Sequence, residues 1–134
     1  MPSDPTFAEV AEGVRATIAA YTQALDDGRA DDVVATFCPD AVCDFGDLGT
    51  FEGHDALRKA YAGWMPRGPQ RHLVLNTLVT RWSGDEADAV SDVVFIVPGR
   101  RGWSIRLVGR YRDTLHRDGG TWRFRRRVVA FEQG

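Results

Sequence analysis

Hydrophobic residues change their spacing at Pro69. Before it, Val10, Val14, Ile18, Tyr21 and Leu25 recur in steps of three and four, the stripe of an amphipathic helix running from Phe7 to about Asp26. Asp27-Gly28 ends that helix, and a short second helix carries Val33, Val34 and Phe37 as far as Pro39. The proline ring bars the α conformation from the residue before it. Ala41 to Phe45 reads as a short strand, Gly46 to Gly53 is turn-rich, and Asp55 to Trp64 makes a third helix with Leu57 and Tyr61 four apart. Beyond Pro69 the apolar residues alternate. Residues ~71–82, ~86–97, ~103–116 and ~121–132 are rich in β-branched and aromatic side chains. Ser83-Gly84-Asp85, Pro98 to Gly102 and Asp118-Gly119-Gly120 supply the turns between them. Helices followed by a four-strand antiparallel meander specify an α+β fold. No repeat, linker or low-complexity segment divides the chain, so residues 1–134 read as a single domain.

Composition removes several functional classes. A hydrophobic fraction of 43% and a charged fraction of 27% belong to a globular chain and not to a disordered one. A formal charge of −2 gives no reason to expect nucleic acid or an anionic membrane as partner. No apolar run approaches the ~20 residues that span a bilayer. Met1-Pro2-Ser3-Asp4-Pro5 lacks the basic start and apolar stretch of a secretory signal. Cys38 and Cys43 are too few and wrongly spaced for a zinc site or redox pair, and read as reduced thiols of a cytoplasmic protein, with a disulfide between them as the alternative. His54, His72 and His116 fall in no HxH, HxxxH or HExxH spacing, so no metal is expected. There is no glycine-rich phosphate loop and no G-x-S-x-G nucleophile motif. No cofactor is expected.

The strands then sort the chemistry-bearing residues by face. Alternation puts His72, Val74, Asn76, Leu78 and Trp82 on one side of their strand, with Leu73, Leu75 and Val79 on the other. On the last strand Trp122, Phe124, Arg126, Val128 and Ala130 share a face, opposite Arg123, Arg125 and Arg127. Arg126, in line with two aromatic residues, is therefore the arginine expected to reach a cavity, and Arg125 and Arg127 are expected in solvent or at an interface. Trp64 and Trp82 are candidates to wall an aromatic or polycyclic ligand. His72 is the leading candidate for proton transfer, since imidazole is the side chain that titrates nearest neutral pH; the competing reading is a hydrogen-bonded core histidine. Tyr21 lies on the apolar stripe of the first helix and either packs or donates from its hydroxyl. Asp26 stands about 140° around an ideal helix from Tyr21. Both reach one cavity only if the helix ends at Asp26; otherwise Asp26 is a solvated or capping carboxylate.

An ordered set of short motifs runs along nearly the whole chain. It comprises Tyr21-Thr22-Gln23-Ala24-Leu25-Asp26-Asp27-Gly28, Phe37-Cys38-Pro39-Asp40-Ala41-Val42, Phe51-Glu52-Gly53-His54-Asp55-Ala56-Leu57, Arg71-His72-Leu73-Val74-Leu75-Asn76, Gly84-Asp85-Glu86-Ala87, Gly109-Arg110-Tyr111-Arg112-Asp113 and Gly120-Thr121-Trp122-Arg123-Phe124. Together these resemble the SnoaL-like proteins of the nuclear transport factor 2-like superfamily. The resemblance implies a cone-shaped roll, in which a strongly curved, mainly antiparallel sheet wraps the N-terminal helices around an apolar pocket. It also implies catalytic roles. His72 would be general base or acid, Asp26 would orient and charge-stabilise its imidazole, and Tyr21 would donate to a substrate oxygen. Asn76, Arg126, Trp64, Trp82 and Asp44 are the expected substrate-binding residues. Asp44 would be the carboxylate base if the chemistry followed the ketosteroid isomerases, but the second acid of that constellation should fall where Leu107, Val108 and Gly109 stand. An epoxide hydrolase would need an Asp-Arg-Asp set from Arg110 and Asp113 or from Asp92 and Arg126.

The function expected is a cofactor-independent lyase or isomerase, using dehydratase-like acid–base chemistry on a small apolar oxygenated ring compound. The alternative is a non-catalytic small-molecule-binding or dimerisation domain; polyketide cyclase and epoxide hydrolase stand behind both. The superfamily's habit of pairing open sheet faces makes a homodimer the expected assembly, with Leu73, Leu75 and Val79 as its apolar surface.

Overall fold

The computed structural model describes residues 4–132. Met1, Pro2 and Ser3, part of the opening read above as lacking a secretory signal, lie outside the described residues. Helix α1 (Phe7–Asp26) starts where the Thr6 hydroxyl accepts the Glu9 N–H at 3.2 Å, a cap that stabilises a helix by about 1 kcal/mol. It ends before Gly28, whose φ of 77° suits a residue without Cβ. The stripe Val10, Val14, Ile18, Tyr21 and Leu25 is buried. Helix α2 (Ala30–Ala35) and helix α3 (Gly53–Ala62) bury Val33, Val34, Leu57 and Tyr61 against the same core. No helix among the described residues is long and apolar enough to cross a membrane.

Strands β1 (Phe37–Asp44), β2 (Thr50–Glu52), β3 (Arg71–Trp82), β4 (Glu86–Gly99), β5 (Gly102–Asp118) and β6 (Thr121–Glu132) form one sheet in the order β2-β1-β6-β5-β4-β3. The meander β3 to β6 is antiparallel throughout. Strand β1 joins it in parallel along β6, which puts the last strand in the interior of the sheet. Two readings of the N-terminal half change. The second helix stops at Ala35, and Phe37 opens β1. Pro39 lies inside that strand, where the β1–β6 register shifts between Phe37 and Val42. A residue with no N–H is tolerated at such an irregularity.

Two bulges decide which side chains face inward. On β3, Leu75 pairs with Asp92 and Leu78 with Val90, so Asn76 and Thr77 stand against Ser91 alone. Asn76 takes up the turn with φ 57°, a left-handed conformation that asparagine tolerates better than most residues. Beyond it the faces exchange: Val79 packs on the core and Leu78 is 63% exposed. On β6, Leu115 pairs with Phe124 and Thr114 with Arg126, leaving Arg125 unpaired. An extra residue swaps the face of everything after it. Arg127 and Val129 therefore continue the buried face of Trp122 and Phe124.

Helices and concave sheet face meet closely along α1. Thr17 Oγ1 donates to the Trp122 carbonyl at 2.7 Å. One turn earlier, a Cβ on Gly13 would lie 2.3 Å from Trp122 Cδ1. Glycine is required there for the helix to reach the strand.

Candidate active site

A cavity of about 240 Å³ opens between α1, α3 and the inner sheet face. Its walls are almost wholly aromatic and aliphatic: Tyr21 and Leu25 from α1, Tyr61 from α3, Val93 and Phe95 from β4, Leu107, Gly109 and Tyr111 from β5, and Val129 and Phe131 from β6. Phe45, Leu48 and Trp64 line it from the connecting segments. Trp64 meets the rings of Phe45 and Tyr61 at centroid distances of 4.8 and 5.3 Å. The polar corner is Gln70 and His72.

The corner is built around the last residue of α1. Because the helix ends at Asp26, its carboxylate escapes the helical face and reaches β3. Asp26 Oδ2 accepts the His72 backbone N–H at 2.7 Å, and Oδ1 accepts from His72 Nδ1 at 2.7 Å and from Gln70 Nε2 at 3.1 Å. Burial opposes the charge on Asp26, yet the donors from His72 and Gln70 outweigh it and hold the carboxyl below its ordinary value. An ionised carboxylate can only accept, so Nδ1 carries the proton and Nε2 is the acceptor nitrogen of the ring. Nε2 has no partner among the described residues. The imidazole stacks on Phe95 at 4.4 Å and 28°, which fixes its plane at the cavity wall. The side chain of His72 is 17% exposed and that of Asp26 is 5% exposed. A buried carboxylate behind an accessible imidazole is the arrangement of a general base with its orienting acid.

Opposite this corner, the Tyr21 and Tyr61 hydroxyls share a hydrogen bond of 2.5 Å. Burial pushes the Tyr21 phenol up to about 12 against the opposing charge of Arg127, and the Tyr61 phenol well above its ordinary value. Both are neutral donors at working pH. Beneath them lies an ion pair missed by alternation. Arg127 Nε and Nη2 donate to the two oxygens of Asp113 at 2.7 and 2.9 Å, and both side chains are 0% exposed.

The remaining expected site residues lie elsewhere. Arg126 is exposed on the outer face, because the bulge at Arg125 reverses the parity that pointed it inward. Asn76 is exposed and donates to Asp92 Oδ2 at 2.9 Å. Asp44 Oδ1 accepts the Gly46 N–H at 2.8 Å and closes the turn after β1. Trp82, beyond a further register shift, packs on Phe7 at 5.6 Å and is not among the cavity walls. His54 Nε2 contacts the Phe37 carbonyl at 2.8 Å, tying α3 to β1. Of the arginine–carboxylate sets considered for an epoxide hydrolase, Arg110 binds Asp92 on the outer face. Of the expected site residues, Tyr21, Trp64 and His72 line the cavity. Gln70 and Tyr61 are among the walls that sequence reasoning does not single out: Gln70 stands two before His72, so alternation alone would place it on the same face, and Tyr61 falls in a packing stripe.

The SnoaL-like domain model matches residues 7–128. The chain belongs to the SnoaL-like family. Its fold is that of the nuclear transport factor 2-like superfamily. A protein of that superfamily with a cystatin-like fold from Novosphingobium aromaticivorans is 25% identical with a TM-score of 0.82, over 95% of this chain and 84% of that one. A candidate scytalone dehydratase from the same organism is 25% identical with a TM-score of 0.80, over 92% and 85%. A Mycobacterium tuberculosis protein of unknown function superposes with a TM-score of 0.85 at 24% identity, over 93% and 73%. No curated protein matches the sequence at a significant level.

Proposed function

We propose that this SnoaL-like domain is a lyase or isomerase that removes a proton from carbon in a small, neutral, oxygen-bearing ring compound. The observation that carries the reading is the His72–Asp26 dyad at the wall of an aromatic cavity, with Nε2 unengaged. His72 Nε2 takes the proton. Asp26 stabilises the imidazolium and holds the ring in one tautomer, and Tyr21 donates to a substrate oxygen. For a dehydration, the C–H electron pair becomes the new double bond, and the departing hydroxyl leaves as water with the proton returned from His72. The apolar walls favour an uncharged substrate, because a charged one would lose its hydration without compensation. No cofactor enters the scheme. Likeness to a candidate scytalone dehydratase supports the same class.

The test is deuterium incorporation from heavy water into a panel of cyclic ketones and hydroxyketones, followed by mass spectrometry. Wild type should exchange a single position. His72→Ala should lose about 10²–10⁴-fold of the rate, the contribution of one placed acid–base group, while keeping its circular dichroism spectrum. Saturable ligand binding without exchange or turnover in the wild type would assign the domain to ligand capture instead.

The assembly proposed with it is a homodimer through the outer sheet face, where Leu73, Leu75 and Leu78 are exposed. Neither nucleic acid nor membrane has a part in this reading.

A further inference from the structure

The buried pair under the cavity is an unusual thing for a small domain to keep. Arg127 and Asp113 are cross-strand neighbours of β6 and β5, at a position where two apolar side chains would join the same strands. Replacing a buried ion pair by apolar residues of similar volume is often neutral or stabilising. The pair also leaves a donor unused: Nη1 of Arg127 is the one buried side-chain nitrogen or oxygen without a partner among the described residues. An unpaired buried donor carries its full desolvation cost. Fold stability alone does not explain this arrangement.

Its geometry does. Asp113 grips the Nε and Nη2 edge, so the positive end of the pair is the Nη1 edge. The guanidinium carbon sits 3.8 Å from the centroid of Tyr111, 4.1 Å from Phe124 and 4.4 Å from Tyr21. Tyr21 and Tyr111 are cavity walls, and Tyr21 carries the hydroxyl bonded to Tyr61. The titratable groups around the guanidinium are Tyr21 from α1, Tyr61 from α3, Tyr111 and Asp113 from β5, and Cys43 from β1, whose thiol burial pushes up to about 12. Of these only Asp113 is a carboxylate, and it lies on the far edge. A fixed charge in a water-free site acts on its neighbours much more strongly than in solvent.

We propose that Arg127, clamped by Asp113, is a positioning residue that holds the Tyr21–Tyr61 hydroxyl pair in a positive field, so that the pair stabilises negative charge arising on a substrate oxygen. The substrate class is then a ring ketone with an acidic α C–H and a β-hydroxyl. When His72 takes the α proton, the C–H pair forms a C=C bond and the carbonyl π pair moves onto oxygen, giving an enolate held by the phenols. The enolate pair then returns and expels the β-hydroxyl, which leaves as water with the proton from His72. The products are an enone and water, and no oxidant or reductant is used. For turnover the inference rests on the base reading above. For binding it does not.

Naphthols of graded acidity serve as the probe, because their phenolate copies the enolate and its ultraviolet band reports ionisation. Wild type should bind naphthols as phenolates at a pH where they are neutral in solution, with Kd tightening as their acidity rises. The double substitution Arg127→Met with Asp113→Leu removes both charges together. It should bind naphthol in the neutral form at least tenfold more weakly, with naphthalene affinity unchanged. Asp113→Asn, which strips the compensating charge, should raise the phenolate fraction, a direction that loss of packing would not produce and that needs only this second variant to fold. Equal ionisation in the wild type and the double variant overturns the inference, as does neutral naphthol or no binding in the wild type. His72→Phe separates the two readings. If ionisation vanishes there and persists in the double variant, the imidazole is the proton acceptor, and the phenol pair has no such role. Loss of deuterium exchange with phenolate binding intact leaves this inference standing and removes only the base.

Discussion

Asp26 is the residue on which site and stability meet. Its carboxylate accepts three hydrogen bonds and is held below its ordinary pKa. A depressed carboxyl contributes stability that is complete above its unfolded value and is lost as pH falls through the lowered native value. The stability gap between wild type and Asp26→Asn, measured by urea unfolding, should therefore be widest near neutrality and close as pH drops below about 4. At fixed pH the same variant should lose turnover, since an amide can turn its donor toward Nδ1 and invert the tautomer. Arg127 makes a second residue-scale case. Arg127→Met alone strands Asp113 as a buried unpaired anion and should cost about 3–5 kcal/mol in chemical denaturation. Restoring neutrality with Asp113→Leu should return most of that loss.

Among the elements, α1 and β6 fit closely at Gly13 and Trp122. Alanine at position 13 would gain about 0.8–1.0 kcal/mol of helix propensity over glycine. Its Cβ would fall within 3 Å of two Trp122 ring atoms, and overpacking of that kind costs about 1–3 kcal/mol. Packing wins, so Gly13→Ala should lower Tm in a thermal melt, against the sign that propensity alone gives. Elements were largely legible in the sequence wherever the period was long and clean: α1 spans Phe7–Asp26, β3 Arg71–Trp82 and β6 Thr121–Glu132, as their patterns indicated. Side-chain facing was not. A bulge leaves strand boundaries untouched and reverses parity beyond it, and neither Asn76, in a largely apolar stretch, nor Arg125, in a basic one, announces it. That is why Arg126 took the place of Arg127, and why Leu78 and Val79 changed sides. The dyad was legible through family resemblance and the helix end at Asp27-Gly28. Tyr61, Gln70 and the Arg127–Asp113 pair depended on three-dimensional closure.

At the scale of the molecule, the sheet has a concave face given to the cavity and a convex face that carries leucines among charges. Leu73, Leu75 and Leu78 stand near the Asp92–Arg110 pair. Light scattering at micromolar concentration should return twice the chain mass of 14.9 kDa if that face pairs with a second copy. Leu78→Lys should then give a folded monomer, because it places a charge at an exposed apolar position of the convex face. A monomer in both proteins would remove the proposed dimer and leave the cavity chemistry unaffected.

The interior place of β6 also has a consequence in time. Strand β1 is synthesised early, but its parallel neighbour is the last strand described, and Val42 and its partner Arg126 are on the order of 80 residues apart. At usual translation rates, roughly 4–17 s separate the emergence of the two. Throughout that interval β1 has only the short β2 to pair with, and the floor of the cavity does not exist. Closure of the sheet thus waits until β6 has emerged from the ribosome, and nascent chains stalled before that point should be bound by chaperones and cut by protease, whereas those in which β6 has emerged should resist both.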